Sequence, residues 1–281
     1  MHLIKKAVSR AESDARFALR RLSASFRALP TCIIAGAQKA GTSSLYSYLI
    51  QHPEVSGAFR KEVHYFDGGL NPWKDNFGYG PFWYRAHFPI KGGPNRHLHF
   101  VEASPSYLFV PGVPRRIKEL LPNVKVILVL KNPTERAISH YYHEIKAGRE
   151  TRSIEDALCN PEEVPEKNLE FGSKQFASAL RFSYRERGIY VRQVKRYLEL
   201  FKDEQLHILG SNSLFGNPNS TLKELFKFLN IATDVEIEDT RAKNVNPIKK
   251  NVPKKVYEYL DNFYKPYNEE LREILSGRVF W

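Results

Sequence analysis

Cysteine is scarce in this chain: 281 residues contain two, Cys32 and Cys159. Two thiols cannot build a disulfide framework or a cysteine-based zinc site. Nor does any His/Cys/Asp/Glu run have metal-ligand spacing, so no resident metal is expected. A helix that crosses a bilayer needs about 20 consecutive apolar residues, and no stretch of this sequence approaches that. The first residues lack the apolar h-region of a secretory signal. A cytoplasmic location is therefore expected. Internal repeats, low-complexity linkers and nucleic-acid-reading motifs are missing too, which argues against a nucleic-acid partner.

Positive charge, by contrast, is in excess: 43 Lys and Arg stand against 31 Asp and Glu, a net +12. Such a field attracts polyanions, whether an acidic polysaccharide, an anionic membrane or a heavily charged cofactor. With 42% hydrophobic and 13% aromatic residues, the chain can bury a sizeable core. One domain over residues 31–281 is the simplest organisation. Ahead of it, residues 1–30 carry Ile4, Val8, Ala11, Ala15, Ala18, Leu22 and Phe26 at helical spacing, with Arg and Lys on the other faces. The spacing predicts an amphipathic helix packed on the domain. Peripheral contact of that helix with an anionic membrane is the alternative.

The chain is organised around residues 31–67. A short apolar run, Cys32-Ile33-Ile34-Ala35, has the character of a buried strand. The small-residue loop Gly36 to Ser43 follows, and then a helical segment over Ser44 to Gln51. A strand that feeds a glycine-containing loop and a helix aims backbone N–H groups and the positive helix end at one point, where a phosphate can sit. The loop is nearly a Walker A motif, but Thr42 and Ser43 follow Gly41 directly and the lysine stands inside the loop at position 39. There it would lie beside the terminal group of a bound anion. Further on, the strand His99–Glu102, helix Val113–Leu121, strand Lys125–Leu130 and helix from Pro133 to about Ala147 alternate. A helical region over 173–202, a strand at 205–209 and helices near 218–229 and 253–276 follow. This alternation predicts an α/β fold with a central parallel sheet, helices on both faces, and ligands at the strand C-terminal ends.

These segments resemble those of sulfotransferases that use 3′-phosphoadenosine 5′-phosphosulfate (PAPS), closest to the heparan sulfate 3-O- and N-sulfotransferase type and its bacterial relatives. The resemblance rests on the loop around Lys39, on Lys61-Glu62-Val63-His64-Tyr65-Phe66-Asp67, on Val101-Glu102-Ala103-Ser104-Pro105-Ser106-Tyr107, and on Leu130-Lys131-Asn132-Pro133-Thr134-Glu135-Arg136 through Ser139. It implies a P-loop-like three-layer fold and in-line sulfuryl transfer to a hydroxyl or amine of a carbohydrate-type acceptor, with adenosine 3′,5′-bisphosphate as product. It implies that Gln38, Lys39, Ala40, Gly41, Thr42 and Ser43 hold the 5′-phosphosulfate, and that Lys131, Arg136 and Ser139 hold the 3′-phosphate, joined by Lys249 or Lys250; pairing with a carboxylate inside the fold is the alternative for Arg136.

Glu62 matches the catalytic glutamate and is expected to act as general base. His64, two residues on, would share a face with it in an extended segment, as an orienting or charge-stabilising partner. The reverse assignment, with His64 as base, stays open. Lys39 would place its charge on the bridging oxygen. Lys61, Asp67 and Tyr107 are expected to shape the acceptor site, with a structural role for Asp67 as the equal alternative. The acceptor would be a glycan or glycolipid, with an anionic polysaccharide included.

The chain departs from the heparan type in three places. No cysteine follows Cys159, where those enzymes close a hairpin with a disulfide. Ala103 stands where the 3-O-enzymes have lysine, and Lys131-Asn132 stands for Arg-Asp. Two other classes remain in view: a P-loop nucleotide kinase and an inactive polyanion-binding protein.

Overall fold

The computed structural model describes residues 2–69, 75–92, 99–160, 162, 163, 166, 169, 171, 173–243, 252–278 and 281, with side chains from residue 11 onward except that of Lys174. Five strands, β1 (Cys32–Gly36), β2 (Val55–Gly57), β3 (His99–Ala103), β4 (Lys125–Leu130) and β5 (Leu206–Gly210), form one parallel sheet. Their order is β2-β3-β1-β4-β5. In the centre, Cys32 pairs with Val101 on one side and Lys125 on the other. Parallel strands are covered on both faces, so they read as continuous apolar runs. Every residue of β1 is buried, and so is all of β4 after Lys125. Cys32 is a small hydrophobe within this core, and burial pushes its thiol up to about 12.

The helices among the described residues are α1 (His2–Leu22), α2 (Thr42–Leu49), α3 (Gly80–Arg85), α4 (Val113–Leu120), α5 (Pro133–Lys146), α6 (Ile154–Cys159), α7 (Lys174–Phe182), α8 (Tyr190–Leu200), α9 (Ser211–Gly216), α10 (Pro218–Leu229) and α11 (Lys254–Ile274). Several begin where local chemistry dictates. Pro133 and Pro218 occupy the first turns of α5 and α10, and Asn132 and Asn217 cap them by accepting from Glu135 N at 3.1 Å and Ser220 N at 3.3 Å.

The helical region expected over 173–202 is two helices. Between them, Gly188 lies under Tyr264 of α11, where a Cβ would sit 2.6 Å from the phenol oxygen. That close approach fixes a turn, and the chain re-enters helix at Tyr190. The short strand β2 and the helices α3, α6 and α9 go beyond the sequence reading.

The N-terminal helix docks unexpectedly. An amphipathic helix ordinarily turns its apolar stripe inward. On α1 the side chains of Ala11, Ala15, Ala18 and Leu22 are exposed, and so is that of Phe26 just beyond the helix. Phe17 and Arg20 make the contact with the domain instead.

Candidate active site

At the C-terminal end of β1 the chain turns through residues 37–41 into α2. Ala37 N donates to Val129 O of β4 at 2.7 Å, and Ala40 N donates back to Ala37 O at 3.1 Å, which fixes the loop to the sheet. Gly41 holds the N-cap position at φ 109, and a Cβ there would meet the Phe215 ring of α9 at 3.0 Å. Glycine is required for both reasons. As a cap, glycine brings no side-chain oxygen to the first turn of α2. The positive end of the helix lies at this loop, where an anion is favoured.

Around it Thr42 and Ser44 are buried, while Gln38, Lys39 and Ser43 are half-buried. The carbonyl oxygen of the Gln38 side chain is buried with no partner among the described residues. Lys39 also takes a left-handed conformation, at φ 69. Burial, then the charges of Lys131 and Lys146, push its ammonium below the usual lysine range, while Glu144 and Glu62 pull the other way. Lys39 makes no ion pair among the described residues. Burial and two neighbouring cations disfavour the charged form more than the two carboxylates restore it, so an added anion would stabilise the ammonium. The donor set therefore fits a phosphosulfate.

Glu62 and His64 face the same region. They do not lie on one extended segment: both have left-handed backbones, at φ 60 and φ 51, and the stretch is a loop. The side chains still meet, with His64 Nε2 at 3.8 Å from Glu62 Oε2. The Lys61 ammonium lies 2.7 Å from Glu62 Oε1. Burial raises the Glu62 carboxyl, but His64 and Lys61 outweigh it and hold it near about 2. Its side chain remains 41% exposed and can reach an acceptor.

Behind His64, Asp67 is fully buried and its Oδ2 lies 2.7 Å from His64 Nδ1. Ser106 donates to the same Asp67 oxygen and lies 3.2 Å from Nδ1. Burial opposes the imidazolium, yet Asp67 and Glu62 lift it to about 10. At neutral pH a carboxylate–imidazolium–carboxylate row runs from the core to the surface.

The loop owes its shape to a second buried carboxylate. Glu102, on β3, accepts from Tyr84, from Tyr107 at 2.6 Å and from Ser104 at 2.8 Å. The Tyr107 oxygen in turn accepts from Tyr65 N at 2.8 Å and Phe66 N at 3.3 Å, and Ser104 Oγ accepts from His64 N at 3.1 Å. Glu102, Ser104 and Ser106 were not among the expected site residues. Their signal lay in the sequence: a Glu-Ala-Ser-Pro-Ser-Tyr run closing an apolar strand sets polar groups in the core, where they must find partners.

Tyr107 is corrected from an acceptor residue to one that positions the loop, because it has no exposed surface, and the equally buried Asp67 fits the structural alternative. Lys61 remains at the surface side, on Glu62. At the start of α5, Lys131 and Ser139 are half-buried. Arg136 is fully buried, donates to Tyr184 O, and lies 3.5 Å from His140 Nδ1. It is therefore corrected from a direct phosphate ligand to a positive charge beneath the site. Arg187, also unexpected, is buried nearby; burial and the charge of Arg136 lower it to about 9, and the charges of Asp67, Glu144 and Glu62 act against that.

Of the basic loop, Arg241 and Lys243 both pair with Asp239 at 2.6–2.9 Å, and Lys243 N donates to Ser44 of α2 at 2.9 Å. Lys249 and Lys250 lie outside the described residues. Among the described residues no three His, Cys, Asp or Glu could share a metal ion.

The family described as "Sulfotransferase domain" matches residues 29–263. The chain belongs to the sulfotransferase family. It is similar to heparan sulfate glucosamine 3-O-sulfotransferase 5 of Homo sapiens, with 28% identity over 90% of this chain and 74% of that one. It is also similar to the bifunctional heparan sulfate N-deacetylase/N-sulfotransferase 1 of Mus musculus, with 29% identity over 76% of this chain and 23% of the larger enzyme. Among solved structures, a sulfotransferase from Alicyclobacillus acidocaldarius superposes with a TM-score of 0.71 at 28% identity, over 90% of this sulfotransferase and 98% of that one. The fold is the P-loop-like fold of these proteins, and the protein is a sulfotransferase enzyme. That sets aside the kinase and the inactive binding protein.

Proposed function

We propose that this sulfotransferase uses PAPS as donor and sulfates a hydroxyl of a carbohydrate-type acceptor by in-line transfer. The observation that carries the reading is a convergence of three features. Lys39 stands in the loop that opens α2, that helix has no side-chain cap, and the charge of the ionised Glu62 carboxylate acts on the Lys39 ammonium. When bound, the donor supplies an activated sulfuryl group and is released as adenosine 3′,5′-bisphosphate.

Residues 38–43 hold the 5′ end with backbone N–H groups and the Thr42 and Ser43 hydroxyls. Lys131 and Ser139 hold the 3′-phosphate, joined by Lys249 or Lys250, and the buried Arg136 adds to the field. Lysine at 131 keeps the charge of the usual arginine without its bidentate fork. Lys39 neutralises charge that develops on the bridging oxygen. Glu62 takes the proton of the acceptor hydroxyl as that oxygen bonds to sulfur. An imidazolium cannot accept a proton, so His64 held near 10 is better suited to orienting Glu62 than to replacing it. Lys61 faces the acceptor.

The relatives named for heparan sulfate favour a polysaccharide acceptor. Ala103 and the absent late cysteines favour a glycan other than heparan sulfate itself. The test is calorimetric titration with adenosine 3′,5′-bisphosphate beside Mg-ATP, followed by labelled-sulfate transfer to acidic and neutral glycans. Metal-independent binding of the bisphosphate and transfer to a glycan are expected. Binding of neither nucleotide would overturn the donor assignment.

A further inference from the structure

α1 is held by one face. The Phe17 ring lies 4.4 Å from that of His87 and meets Trp83 edge-on at 5.7 Å. Arg20 donates to Ala86 O and Phe88 O, each at 2.7 Å, and Arg60 reaches Ser13 and Asp14 at 2.8 and 2.7 Å. On a helix of 3.6 residues per turn, Ser13, Phe17 and Arg20 lie opposite Ala11, Ala15, Ala18 and Leu22. The stripe that would ordinarily be buried therefore points outward. Leu22, Phe26 and Leu19 are 84%, 69% and 67% exposed, the most exposed large hydrophobic residues among those described. Ile90, 48% exposed, extends the patch: it bridges Arg27, and Lys91 N donates to Phe26 O at 2.9 Å.

The rim of this patch is cationic. Arg16, Arg21 and Lys91 are exposed, and none makes an ion pair among the described residues. Asp14 is neutralised by Arg60, which leaves Glu12 as the one unpaired acid on the described part of the helix. We infer that this face of α1 docks on an anionic membrane surface, with Leu19, Leu22 and Phe26 entering the headgroup boundary and the arginines meeting lipid phosphates. A second copy of the chain is a poorer occupant, because pairing this face with itself sets arginine against arginine. Arg60, which clasps α1 on the side away from the exposed stripe, is two residues from Glu62, so docking sets the reaction loop on the domain side of the helix, one helix diameter (~10 Å) from the lipid, where the headgroup of a glycolipid acceptor would be presented. That consequence rests on the function proposed above; the docking does not.

Flotation of the intact protein with vesicles of phosphatidylcholine alone, and with about one-third phosphatidylglycerol, tests the inference. Binding to the anionic vesicles alone is expected. The triple variant L19S/L22S/F26S should partition about tenfold or more weakly, with unchanged circular dichroism because all three side chains are exposed. The charge variant R16E/R21E should also lose binding. The inference is overturned by an absence of vesicle binding, by undiminished binding of the triple variant, or by light scattering that finds a dimer which the triple variant abolishes without any vesicle binding.

Discussion

His64 Nδ1 lies 2.7 Å from Oδ2 of the fully buried Asp67, while the other nitrogen of the ring faces Glu62 at 3.8 Å. Asp67 has no exposed surface, so its charge is felt outside through the imidazole. That relation sets the expected pH behaviour. His64 should stay protonated until pH about 10, and Glu62 ionised down to about 2. Turnover should be level across neutral pH and fall on the alkaline side. In Asp67→Asn the imidazolium loses its main support, and the alkaline limb should move toward neutral pH. A kcat–pH profile of both proteins checks this; an unmoved limb would remove Asp67 as the positioning residue.

The same pair couples pH to stability. The folded pKa of His64 lies above its ordinary 6.5, so its contribution is full below that value and is lost as pH rises toward about 10. Thermal melts of wild type should therefore show Tm declining over that window. Asp67→Asn should flatten the decline.

Glu62→Gln keeps the shape of the side chain and removes its basicity. Its kcat should drop about 10²–10⁴-fold, while calorimetric affinity for adenosine 3′,5′-bisphosphate stays near wild type. Normal turnover would exclude Glu62 as base.

Lys39→Ala should lower kcat by about 10²–10³-fold, in the range of other losses of a charge-stabilising donor. Steady-state kinetics separate this from acceptor binding, since an effect confined to acceptor KM would contradict the assignment.

Tyr107→Phe should destabilise the fold by about 1–3 kcal/mol, because Tyr65 N loses its acceptor and Glu102 one of its donors, all in the core. Urea unfolding measures it. Activity should suffer as well, since the same bonds hold the Glu62–Asp67 loop.

Much of this protein was legible in the amino-acid order. β4 and α10 fall where their apolar patterns and flanking residues put them, because a two-sided buried strand and a capped amphipathic helix each leave a local signature. The departure of Lys39 from the Walker position was equally plain, and with it the family. Local pattern also predicted that Glu62 and His64 would meet, but for the wrong reason: two left-handed residues bring them together where an extended segment was expected. Backbone of that kind is imposed by Tyr107 and Ser104, some 40 positions away, which accept from the loop's N–H groups.

Burial is likewise a property of the assembled layers. Asp67, Tyr107 and Arg136 are polar residues of the kind a sequence assigns to a surface, yet all three are sealed in the core. The reverse holds for α1, whose apolar stripe periodicity marks for the interior. Periodicity states which residues share a face of the helix. Which face meets the domain was decided by Phe17 and Arg20 finding aromatic rings and carbonyl oxygens on the far side of the chain, a choice made by tertiary contacts alone.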